Sequence, residues 1–180
     1  MTRLQGHLAA IGACMGAREW AGDRTAAQVW DECERADWLL WWAGTMGRNS
    51  HQKIVLTVVT CARTALHYVP DGEERPRLAI EAAERWAKDP SEKNRAAALA
   101  ARDAAWVAGR GSPGGSAARA AIWAAAQSAG TIVTVAYGAT LAAGSTIAAS
   151  AIGVGAEVAT NQQMCRIIRS MLVCPFQEVA

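Results

Sequence analysis

Residues 51–70 read HQKIVLTVVTCARTALHYVP, and whether this stretch is helix or strand decides the fold class. Its β-branched residues suit a strand. About twenty residues without a turn signal, however, exceed an ordinary strand. Helical phase accounts for them better. Val55, Val58, Val59, Ala62, Ala65, Leu66 and Val69 fall on one face, and Lys53, Thr57, Thr60, Thr64 and His67 form a second, polar stripe. Pro70, Asp71 and Gly72 then force a turn.

Working outward, the same 3.6-residue period recurs on both sides. Towards the N-terminus, Leu4, Leu8, Ile11 and Met15 are spaced as in one amphipathic helix, and His7, Arg18 and Glu19 interrupt what would otherwise resemble a signal peptide. Thr25 and Gln28 make a capping box that opens a helix carrying Val29, Trp30 and Cys33. Asp37 is placed to cap the next, WLLWWAGTMG, which fades at Gly44 and Gly47. Towards the C-terminus, EERPRLAIEAAERWAKDP starts with Pro76 in its first turn, offers Glu81 with Arg85 and Glu84 with Lys88 as i, i+4 pairs, and stops at Pro90. Ser91 caps EKNRAAALAARDAAWVAG. A last helix, roughly Thr160 to Leu172, turns Met164, Ile167, Ile168 and Met171 inward before Pro175.

The expected fold is therefore all-α. A multi-helix bundle forms one domain over 1–180, with a flexible GRGSPGGS connector at 109–116. Beyond the connector, no charged residue stands between Arg119 and Glu157. Ala, Gly, Ser and Thr dominate there, without the Leu, Ile and Phe density or the flanking anchors of a membrane span. The preferred reading is an uncharged Ala/Gly-rich helical hairpin, packed within the bundle or against a second copy through 130–155, with no membrane insertion.

A length of 180 residues buries enough surface to fold without metal or disulfide. The five cysteines are odd in number, irregularly spaced and without a CxxC pair, as in a cytoplasmic protein with reduced, buried thiols. His7, His51 and His67 never fall at i, i+3 or i, i+4, so no metal site is expected. GxSxG and phosphate-loop endings are absent, leaving no catalytic residue and no cofactor to nominate. A net charge of +2 without a basic block argues against nucleic acid. The eight tryptophans are the unusual feature: most belong in the core, and one or two near Asp37 suit a partner interface.

Three segments together carry a resemblance. They are Cys33, Asp37, Trp38, Leu40 and Trp41 in a CxxxDWxLW helix start; Cys61, Ala62 and Arg63; and Gly72, Glu73, Arg75, Pro76, Ala79, Ile80, Glu81 and Trp86, with Pro175 and Phe176 near the end. The chain resembles the immunity proteins of bacterial polymorphic-toxin systems, the all-helical immunity-five-like family, over roughly residues 14–90. Glu74 departs from the Asp of that pattern. The resemblance implies a non-catalytic protein that neutralises a cognate toxin by stoichiometric binding, with Asp37, Trp38, Arg63, Glu73, Glu74, Arg75 and Glu81 as partner-binding residues. The alternative role for these polar groups is bracing, Arg63 and Arg75 pairing with Asp37 and Glu81. Two other functions stay open: a protein of a phage or mobile element that sequesters a small molecule or nucleotide between tryptophans, and a self-assembling structural protein.

Overall fold

The computed structural model describes residues 3–64, 66–69, 71–108 and 154–176. Among them the chain is all-α, a bundle of eight helices without strands. These are α1 (Arg3–Ala10), α2 (Met15–Ala21), α3 (Ala26–Glu32), α4 (Ala36–Thr45), α5 (His51–Arg63), α6 (Arg75–Lys88), α7 (Glu92–Ala108) and α8 (Val154–Met171). The connector, the Ala/Gly-rich hairpin and all of the 130–155 stretch except the start of α8 lie outside the described residues.

Helix α5 is the centre of the bundle. It packs against α4, α6 and α8, while α6 also carries α7. This explains how a segment rich in poor helix formers remains helical: Ile54, Val55, Val58, Val59, Cys61 and Ala62 are all buried, and tertiary packing outweighs intrinsic propensity. The expected polar stripe is corrected at Thr57, which is 0% exposed. Neighbours on several sides leave α5 little solvent face, and the Thr57 hydroxyl donates to the Lys53 carbonyl of its own helix at 2.9 Å. The helix also ends sooner than expected, at Arg63, with a short 3₁₀ turn over Leu66–Tyr68 and Gly72 at φ +84° completing the reversal.

The single N-terminal helix is likewise corrected to two. Gly12, at φ +79°, turns the chain between α1 and α2, so Leu4 and Leu8 are buried whereas Met15 is 66% exposed. The capping box at α3 is present, with Thr25 and Gln28 bonding each other's backbone amides at 3.2 and 2.9 Å. Ser91 accepts from the Asn94 amide at the start of α7. Helix α8 starts earlier than expected and seats Met164, Cys165 and Ile168 on α4 and α5, and Leu172, just past its end, and Phe176 close the core behind it.

No helix among the described residues is long and apolar enough to cross a membrane. All five cysteines are free, with Cys33, Cys61 and Cys165 buried.

Candidate binding surface

Three non-helical residues, Cys33 to Arg35, of which Cys33 and Arg35 are extended, join α3 to α4 at a corner beside α2 and α8. Asp37 was expected to cap α4, but the cap position belongs to Arg35, and Asp37 falls in the first helical turn. There a carboxylate gains from the positive end of the helix dipole. It is only 8% exposed, and Arg35 compensates its burial with two bonds, Nε to Oδ1 at 2.9 Å and Nη2 to Oδ2 at 2.6 Å. That bidentate hydrogen bonding raises the Arg35 pKa above its ordinary value.

The same guanidinium lies over the Trp38 ring, 4.7 Å from its centroid. Arg24 repeats the arrangement, lying 4.6 Å from the Trp20 centroid while its Nε donates to Glu32 at 3.1 Å. The two indoles meet edge to face at 6.0 Å, and Trp38 passes the contact inward to Trp42 at 6.1 Å. Trp20 and Trp38 are half-buried and Trp42 is wholly buried, so a core aromatic row reaches the surface at this corner. Beside it lies a recess of about 450 Å³ lined by Trp20, Arg24, Glu32, Glu34, Arg35, Asn161 and Gln162. A second, of about 330 Å³, shares Glu32, Glu34 and Gln162 and extends to Arg166 and Arg169.

The remaining expected site residues belong to a different place. Glu73 is bonded to Arg75 through both backbone and side chain; Glu74 and Glu81 both pair with Arg77; and Arg63 reaches Glu84 across the α5–α6 contact with bonds of 2.7 and 2.8 Å. These bonds raise the pKa values of Arg63, Arg75 and Arg77 and lower those of Glu73 and Glu84. The seven residues thus divide into Asp37 and Trp38 at the α3–α4 corner and five along the outer side of α6 and its neighbour α5. The expected braces are corrected too: Asp37 pairs with Arg35 rather than Arg63, and Glu81 with Arg77 rather than Arg75 or Arg85. Glu84 joins Arg63 rather than Lys88.

Trp20, Arg24, Arg35, Asn161 and Arg169 were not nominated from sequence. The i, i+4 spacing of Trp20 with Arg24 and the i, i+3 spacing of Arg35 with Trp38 were available signals. Asn161 and Arg169 offered none, because their partners lie more than a hundred residues away.

Burial pushes the Cys33 thiol up to about 11 and the Cys61 and Cys165 thiols up to about 12, so all three stay protonated and weakly nucleophilic at neutral pH. Among the described residues no group of three or more His, Cys, Asp or Glu side chains could hold a metal ion. One face each of Trp20 and Trp38, which a planar ligand would use for stacking, carries a guanidinium. Compared with known proteins, the chain matches no family model, no curated protein and no solved structure.

Proposed function

We propose that this protein is a non-catalytic immunity protein that neutralises a bacterial toxin by stoichiometric binding in the cytoplasm, with the α3–α4 corner as its anchor. The observation that carries the reading is Arg35 stacked on Trp38 while held bidentately by Asp37. Two of these three residues, Asp37 and Trp38, belong to the motif through which the chain resembles that family. Trp and Arg dominate interface hot spots, and side chains already fixed by their own ion pair lose little further entropy on docking. The ion-paired ladder along α6 would then serve as a polar rim, contributing register and exclusion of other partners more than affinity.

The test is co-expression with a bacterial toxin, taken from a toxin-like reading frame where one neighbours this gene. Growth should be rescued, and Trp38→Ala should weaken the purified complex by about 2 kcal/mol, roughly thirtyfold in Kd. A folded protein that neither rescues growth nor binds that toxin overturns the proposal.

A further inference from the structure

Neither α3 nor α4 caps itself where they meet. The last carbonyls of one helix and the first amides of the next have no intrahelical partners. Arg35, at the cap position of α4, makes no side-chain capping bond, being committed to Asp37 and Trp38. Helix α8 supplies partners for one carbonyl of α3, the first amide of α4 and two carbonyls of the linker between them. Asn161 Oδ1 accepts from the Ala36 amide at 3.2 Å, and its Nδ2 donates to the Glu34 carbonyl. Arg169 Nε donates to the Trp30 carbonyl at 2.8 Å, and its Nη2 to that of Cys33. Asn161 and Arg169 stand about two turns apart on one side of α8, with Cys165 buried midway between them.

We infer that Asn161 and Arg169 are positioning residues for the Arg35–Trp38 surface. They form a clasp that caps α3 and α4 from 125 to 139 residues away and sets the extended backbone from which Arg35 reaches Asp37 and Trp38. The attachment of α8 itself is separate. It rests on Met164, Ile168 and Leu172, all buried, whereas Asn161 and Arg169 are partly exposed. The corner can therefore be loosened without undocking the helix. The functional meaning of the clasp rests on the binding role proposed above; its structural content does not.

Hydrogen exchange of the full chain separates the two. In Asn161→Ala/Arg169→Ala, amides of 33–38 should exchange roughly tenfold faster, the scale of one or two lost hydrogen bonds, while those of α5 keep their protection. Unchanged protection of 33–38 in the folded variant overturns the clasp. If the double variant does not fold, Asn161→Asp is compared with Asn161→Ala. Aspartate keeps the acceptor for Ala36, so restored protection at Ala36 supports the clasp and equal protection in the two overturns it. Toxin binding is then measured on the same variants. Faster exchange with weakened binding extends the clasp to function, and faster exchange in a protein whose wild type binds no toxin leaves the clasp standing while the proposed function falls.

Discussion

The Trp42 indole and the Phe176 ring meet edge to face with centroids 5.4 Å apart, and neither ring is exposed. Trp42 thereby links two aromatic contacts, one outward to Trp38 and one towards the chain's last described turn. Phe176→Ala removes a buried aromatic side chain and leaves a cavity against Trp42. The expected loss is about 3–5 kcal/mol, read as a lower urea midpoint with reduced near-ultraviolet circular dichroism. A loss below about 1 kcal/mol would mean that the ring is not a core element.

Asp37 depends on Arg35 for its tolerance of burial. Arg35→Ala leaves the carboxylate without its cation and is expected to cost about 1–3 kcal/mol at neutral pH. Adding Asp37→Asn should recover part of that loss, since an amide is cheaper to bury than a lone charge. Urea titration of the two single variants and the double variant gives the coupling; strictly additive effects would contradict the pairing.

The Arg63–Glu84 pair ties α5 to α6 and holds the Glu84 pKa below its unfolded value of 4.5, chiefly through the Arg63 hydrogen bonds. A depressed carboxylate stabilises the fold above the unfolded pKa, and that contribution disappears as pH falls through the folded one. Arg63 is 43% exposed at its side chain, so solvent screening limits the pair to about 0.5–1 kcal/mol. Glu84→Gln should therefore lower stability by this amount at pH 7 and leave it nearly unchanged near pH 2, as measured by thermal unfolding across that range.

The buried thiols act at the opposite end of the scale. Above about pH 9, the unfolded chain releases thiol protons that Cys33, Cys61 and Cys165 retain in the fold, up to about 11 for the first and 12 for the others. The unfolded state then binds fewer protons, so stability falls as pH rises, by at most about 1.4 kcal/mol per pH unit for each thiol. Cys61→Ala should flatten that slope in urea melts between pH 9 and 11. Under native conditions at pH 8, alkylation should label exposed Cys14 first and spare Cys33, Cys61 and Cys165 until denaturant is added.

Local pattern in the sequence makes most of the helices legible. The Thr25 capping box, the Ser91 cap and the Val55–Ala62 part of the apolar face of α5 are properties of a few neighbouring residues, and each is found as expected. The misreadings share a cause in distant neighbours. Thr57 belongs to a polar stripe by spacing, but α5 is covered on several sides and the hydroxyl turns back to its own helix. Asp37 has a capping residue's identity, but Arg35 holds the cap position and Asn161 meets the Ala36 amide. Glu81 had arginines four places away in both directions, and spacing could not choose Arg77 over Arg85. At the candidate surface, sequence indicated Asp37 and Trp38 but not that Arg24 and Arg35 would lie on the indoles, nor that α8 would hold the corner.

The closure of Phe176 over Trp42 also has a consequence for biosynthesis. Domains emerge from the ribosome N-terminus first. Trp42 and the helix that carries it are therefore translated well before the ring that shields them, and the Asn49 amide emerges long before the Val173 backbone to which it bonds at 3.0 and 3.2 Å. A nascent chain stalled ahead of residue 173 lacks both the backbone partner of Asn49 and the ring that covers the Trp42 indole. Completion of the core around Trp42 is thus a late event of synthesis, set by the arrival of residues 173–176.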